Sequence, residues 1–240
     1  MGRYLIHAPN YVANSAGIRC LFMLCHELRV RGHEAFMAGA NVTAPGLNAP
    51  ISGGRQLRKV NQPGQEVTVV YPEIVFGNPY GAKNVARWVL NRPGHLGGDR
   101  IYAETELVFY YSELYRDHVF NKIAGKLYMP TMDESIFFAS GDEERDISCF
   151  YVGKSQYKEG HINTQGMFEI TRFSPPKVQL GPLFRRSKVL YTFDNYTALI
   201  GEALMCGCPV VLIPEPHAKW TDIEKQECGT HGIFWGVENY

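Results

Sequence analysis

The chain has 240 residues, 45% of them hydrophobic, with 24 basic and 24 acidic side chains and no formal net charge. That is enough apolar material for one large α/β domain or two small ones, and it excludes a disordered chain. A neutral balance offers no global attraction to nucleic acid or an anionic membrane, so any phosphate site has to be local.

Residues 1–30 lack the apolar run of a signal peptide, and no later stretch reaches the roughly 18 apolar residues that span a bilayer. The expectation is a soluble, cytoplasmic protein without a transmembrane segment. Six scattered cysteines in a chain of this size fit reduced thiols. Cys206 and Cys208, with one residue between them and no second pair, are too tightly spaced for a zinc knuckle, so no metal site is expected.

Taken from the N-terminus, RYLIHAP reads as a strand, PNYVANSAG as a loop and IRCLFMLCHELRVRG as a helix. Ile18, Leu21, Phe22, Cys25 and Leu28 share one apolar face, Gly32 is placed to end the helix, and EAFMAGA follows as a second strand. This is the start of a parallel βαβ fold. Residues 41–65 are turn-rich; EVTVVYPEIV reads as a strand and AKNVARWVLN as a helix, with two further βα-like segments at IYAETELVFYYS and ELYRDHVFNKI.

The polar tract ASGDEERD separates the two halves, giving Rossmann-like domains at 1–138 and 139–240 with a boundary between Pro130 and Asp146. In the second half ISCFYVGK is a strand, the polar stretch to 172 has helical character, and KVLYTF is the next strand. A helix from about 196 to 206 carries the stripe Leu199, Ile200, Ala203 and Leu204; Gly207 ends it and PVVLIP is a buried strand. A single sheet with an irregular insertion is the alternative.

The turn after KVLYTF carries the chemistry. A strand ends at Phe193, the chain turns through Asp194 and Asn195, and a helix opens with the amides of Tyr196, Thr197 and Ala198. Helix-opening amides at the C-terminal edge of a parallel sheet bind anions. Glu202, one to two turns on, is placed to accept hydrogen bonds from a ribose, and Asp194 flanks the anion site on its loop side. Alone, the pair also reads as a helix cap and a surface acid.

The run Asp194, seven residues, Glu202, then Ala203, Gly207, Pro209, Val210 and Val211 resembles the signature of GT-B glycosyltransferases, in particular retaining glycosyltransferase family 4, whose motif is Glu, seven residues, Glu. The first acid here is Asp, which moves its charge by about 1.5 Å. Gly153-Lys154 after ISCFYV, with Lys158 and Gly160 following, is similar to the family's Gly-Arg and Lys-Gly. Gly17 stands in a loop similar to the family's glycine-containing first loop, and Asp133 and Phe137 match its interdomain segment as landmarks.

The resemblance implies a compact, C-terminally short GT-B fold with the acceptor on the first domain and a nucleoside diphosphate sugar, such as a UDP-sugar, on the second. Lys154 and Lys158 would stabilise the leaving diphosphate, Asp194 would act with them in catalysis, and Gly17, Gly153, Asn195, Tyr196, Thr197, Ala198 and Glu202 would line the donor. Transfer to an acceptor hydroxyl with retention is implied, without cofactor or metal, the departing phosphate taking the acceptor proton.

Three rivals remain: a non-catalytic nucleotide- or sugar-binding module of the same fold, suggested by the early end after HGIFWGVENY; a glycosyltransferase for modified DNA, which needs a basic groove; and an NAD enzyme, which lacks its G-x-G-x-x-G here. Among the histidines, His7 at a strand end and His95 in a Gly-rich loop are placed to border a cleft, while His26 and His33 read as helix-surface or helix-end residues.

Overall fold

The computed structural model describes residues 1–141, 143–155, 162–216 and 218–240. It is an α/β chain of two compact units, Met1–Thr131 and Met132–Tyr240, each built on one parallel sheet of Rossmann-like character. The segment 132–138 belongs to the second unit, because Phe137, 2% exposed, packs into that unit's core with Phe184 and Leu190.

The first unit opens as the sequence predicts. Strand β1 (Arg3–His7), helix α1 (Ala16–Val30) and strand β2 (Glu34–Ala38) form a parallel βαβ unit. Helix α1 starts earlier than the apolar pattern indicates, since Ser15 caps it by accepting from the Ile18 amide at 3.5 Å. It buries Cys20, Leu21, Phe22, Leu24 and Cys25, with about 1.5–3 kcal/mol from a fully buried Leu or Phe. Gly32, at φ 83°, supplies the left-handed residue after its end.

Short helix α2 (Gly54–Arg58) lies within the turn-rich tract, followed by strand β3 (Val67–Pro72). The helix expected over 82–91 is instead strand β4 (Asn84–Val89), paired in parallel with β3. Five of its six residues are buried, including Trp88 and Arg87 at 0% exposure, and its valines and tryptophan suit a central strand.

Arg87 is a buried staple. Its guanidinium donates to both carboxylate oxygens of Glu106 (2.9 and 3.2 Å) and to the carbonyls of Val75 and Gly77 (both 2.9 Å). It also stacks on the rings of Tyr71 and Tyr102. These bonds tie down the helix-free connection after β3.

The two βα segments expected next condense into one βαβ passage: β5 (Leu107–Tyr110), α3 (Glu113–Arg116) and β6 (Ile123–Lys126). The strand order is β2-β1-β3-β4-β5-β6.

The second unit contains β7 (Ile147–Tyr151), β8 (Phe168–Glu169), α4 (Ile170–Phe173), α5 (Lys177–Arg186), β9 (Ser187–Thr192), α6 (Leu199–Met205), β10 (Val210–Leu212), α7 (Trp220–Ile223) and β11 (Ile233–Trp235). Its sheet runs β11-β10-β9-β7-β8. Numbered within each unit, both sheets share the order 2-1-3-4-5, with a sixth strand in the first. In each, the first and third strands are neighbours and the chain leaves them in opposite directions across the sheet, which makes a topological switch point.

Helix α5 was not expected, because Pro175, Pro176 and Pro182 hide its period. Pro176 precedes its first turn, where a missing N–H costs nothing. Gly181 lets it lie against the Ile136 carbonyl, where any Cβ would collide. Helix α6 ends as read: Cys208 N–H donates to Ala203 O and Gly207 N–H to Leu204 O, around Gly207 at φ 67°. Among the described residues no helix is long and apolar enough to cross a membrane.

Candidate functional site

The site predicted from sequence lies at the switch point of the second unit, where the chain leaves the C-terminal ends of β7 and β9. Asp194, 9% exposed, bridges the two exits. Its Oδ2 accepts from the Lys154 amide at 3.2 Å, and its Oδ1 accepts from the Tyr196 amide at 3.3 Å. The carboxylate expected to flank the anion site is thus also the cross-link between the two loops.

Gly153 makes this approach possible. At φ 58°, it sits where an added Cβ would fall 2.7 Å from Asp194 Oδ2 and against the Tyr151 ring. Its amide and that of Val152 both donate to Thr171 Oγ1, at 3.1 and 2.7 Å. Lys154 follows on an exposed turn. Lys158, expected to be the second cation, lies outside the described residues.

The opening of α6 differs from expectation. The helix begins at Leu199, with Ala198 as its N-cap, and not at Tyr196. The cause is local: Asp194 has taken the Tyr196 amide, and Thr197 Oγ1 accepts from Leu199 N–H at 3.4 Å, so residues 194–198 are held as a turn. The Tyr196 amide is therefore engaged with Asp194, and its hydroxyl donates to Asp222 Oδ2 at 2.9 Å.

Asn195, 1% exposed, is a clamp. Its Nδ2 donates to Ile213 O at 3.0 Å, its Oδ1 accepts from Glu215 N–H at 3.1 Å, and its carbonyl accepts from Gln226 Nε2 at 3.1 Å. These bonds fix the turn after β9 to the chain after β10.

Glu202 is fully buried, and both its oxygens accept from Lys177 Nζ, at 2.7 and 2.5 Å. Lys177 opens α5, and its ammonium also lies 5.7 Å from the centre of the Phe137 ring. Sequence reading missed Lys177. Two signals were present: the Pro175-Pro176 pair as a helix start, and a cation in a first turn, which the helix dipole disfavours unless an acid answers it.

Tyr151 was also missed. Burial pushes its phenol above the ordinary tyrosine range, the nearby negative charges of Asp194 and Glu202 add to this, and a hydrogen bond with Thr197 opposes it. The end of β7 thus brings a half-buried phenol to Thr197 and into the field of both motif carboxylates.

In the first unit the corresponding switch point also carries a buried acid: Glu73, 3% exposed, follows β3, and its Oε2 accepts from the Leu90 amide at 2.9 Å. His7 Nδ1 lies 3.0 Å from the Tyr80 hydroxyl, among the rings of Tyr71 and Tyr80, and burial lowers its pKa. Gly17 lies in the first turn of α1, where an added Cβ would meet only Leu90 at an ordinary 3.8 Å. His26 and His33 each accept a backbone amide through Nδ1, from Asn48 and Gly2, while His95 is exposed.

Asp133 caps its own turn by accepting from the Ser135 amide and hydroxyl. Cys206 and Cys208 are buried free thiols, and no cluster of three His, Cys, Asp or Glu suited to a metal occurs among the described residues. Compared with known proteins, the chain matches no family model and no curated sequence.

Proposed function

We propose that the protein is a nucleotide-sugar-dependent glycosyltransferase of GT-B type, with the donor at the switch point of the second unit and the acceptor on the first. The observation that carries this reading is the switch point at the C-terminal ends of β7 and β9. A glycine-led loop with an exposed lysine is bonded there to Asp194, one turn ahead of the helix that bears Glu202. Open parallel sheets bind their ligands at such a place.

In this reading the diphosphate lies along the Gly153–Lys154 loop, and the Lys154 ammonium stabilises the charge that grows as the glycosidic bond breaks. Glu202 receives the ribose. Asp194 holds the loop and turn in register. The acceptor oxygen forms a bond to the anomeric carbon, the bond from that carbon to the phosphate oxygen breaks, and the acceptor proton leaves with the phosphate. Retention of configuration and independence from metal belong to the same proposal. Six free cysteines, five of them buried, fit a reducing compartment such as the cytosol.

A second reading, a binding module without turnover, draws on the full burial of Glu202 in its pair with Lys177. One experiment separates the two. Thermal denaturation is followed with UDP, GDP and their sugars, and nucleotide release is measured with a panel of hydroxyl acceptors. A ligand at 100 times its Kd stabilises the native state by about 2.7 kcal/mol, which gives a clear rise in Tm. Binding with nucleotide release supports the transferase, binding without release on any acceptor supports the module, and no shift with any of these ligands removes both.

A further inference from the structure

The sheet of the first unit is covered differently on its two faces. Along β4, Ala86 and Trp88 pack into the core that holds α1, while Val85, Arg87 and Val89 point to the other side. Over β3 and β4 that second face has no long helix; its cover is short helix α2 and the coil segments 73–82 and 91–106. These pieces are joined into one layer. Asn61 Nδ2 donates to Gly81 O at 2.8 Å, Gly77 N–H donates to Asp99 Oδ2 at 2.6 Å, and Gly98, at φ 77°, lies against Glu73 O, where no Cβ would fit. Arg87 fastens the layer from beneath through the Val75 and Gly77 carbonyls.

Helices usually bury both faces of a parallel sheet, and a coil cover is thinner. Leu57, Ile74, Phe76, Leu96 and Ile101 in this layer are all exposed, Phe76 by 68% and Ile101 by 67%. The charge of the layer is one-sided as well. Between residues 53 and 106 the exposed charged side chains are Arg55, Arg58, Lys83, Arg92 and Arg100 against Glu66 and Glu104, in a chain that is neutral as a whole. Both acids stand just ahead of a strand, β3 or β5. Among the described residues none of the five cations is held in an ion pair.

Exposed apolar side chains set among free cations match a surface that is apolar just below a layer of negative charge. A second copy of the chain would bring like charges together, and a nucleic-acid backbone would give Leu96 and Ile101 nothing to bury against. We propose that this face of the first unit docks on an anionic phospholipid bilayer, with Phe76 and Ile101 entering the boundary between headgroups and acyl chains and the arginines lying on the headgroups. The surface is separate from the donor site and stands without the transferase reading.

The test is flotation of the full chain with vesicles of phosphatidylcholine alone or of equal parts phosphatidylcholine and phosphatidylserine. The wild type floats with the mixed vesicles and not with the neutral ones, and its partition weakens as salt is raised. A cation near an anionic surface contributes about fivefold, so Arg55→Gln/Arg58→Gln lowers partition by about 25-fold. Phe76→Ser/Ile101→Ser lowers it by about tenfold or more at unchanged net charge. If either pair does not fold, Arg92→Gln/Arg100→Gln replaces the first and Leu96→Ser the second.

Wild-type partition retained by the charge variant or by the apolar variant overturns the proposal, as does equal partition to both kinds of vesicle or to neither. A lipid-free dimer in sedimentation equilibrium that Phe76→Ser/Ile101→Ser breaks would assign the face to a second copy. Binding to single-stranded DNA in place of the mixed vesicles would assign it to nucleic acid, and each of these results also overturns the proposal.

Discussion

Two buried ion pairs, one in each unit, do different work. Arg87–Glu106 sits in the first unit with four hydrogen bonds from one guanidinium and an aromatic ring stacked on it from Tyr71 and another from Tyr102. It takes the place of a helix, pinning a bare connection onto the sheet. Lys177–Glu202 joins two helices beside the switch point, uses a single-point cation, and retains exposed surface on one partner. Each pair keeps a little exposure on one partner, 7% at Glu106 and 14% at Lys177, so the difference lies in the bonds: a guanidinium bonded four ways fixes backbone, whereas an ammonium bonded to one carboxylate fixes only that side chain.

The largest effect that tests this contrast is expected at Arg87. Arg87→Met leaves Glu106 buried without its cation and releases the Val75 and Gly77 carbonyls. Urea unfolding should show a loss of about 3–5 kcal/mol, carried by the first unit. Nucleotide binding to refolded or residual native protein should keep its wild-type affinity; a selective loss of affinity with stability intact would put Arg87 in a ligand site and erase the distinction.

Next in size is Gly153→Ala. The φ of 58° and the collision with Asp194 and Tyr151 make about 1–3 kcal/mol of strain the expected cost. Because the same atoms hold the Gly153–Lys154 loop against Asp194, donor affinity should fall with stability. Wild-type affinity in a variant of reduced stability would detach the loop from the site.

The smallest effect concerns His7. Its pKa is lowered in the folded unit by burial, so below its ordinary 6.5 the unfolded chain takes up a proton first. Stability of the first unit should therefore be complete above that value and decline as pH falls through it. His7→Gln should flatten this limb of the pH profile measured by thermal unfolding, and an unchanged slope would remove His7 as its source.

Much of this was legible in the sequence. The opening βαβ unit, the end of α6 at Gly207 and the Asp194 turn all rest on short-range signals: spacing, glycine at positive φ, a strand followed by a polar turn. What stayed hidden was long-range. Segment 84–89 is a strand because its buried Arg87 finds Glu106 nineteen positions away, and a window around AKNVARWV cannot reveal that partner. Helix α5 was masked by its prolines, although Gly181 against Ile136 shows why the sequence tolerates so poor a helix composition there. Lys177 answers an acid 25 positions on, and Asp194 spends its oxygens on two amides that no motif specifies.

The Asn195 clamp has a consequence for speed. With its side-chain amide and its carbonyl both engaged, the turn between β9 and α6 has little freedom left to lose when a ligand arrives. Association at this edge would carry little ordering entropy from the turn and would not wait for it to fold. Differences in affinity among related ligands should then be expressed mainly as different residence times, with on-rates nearly constant across the series.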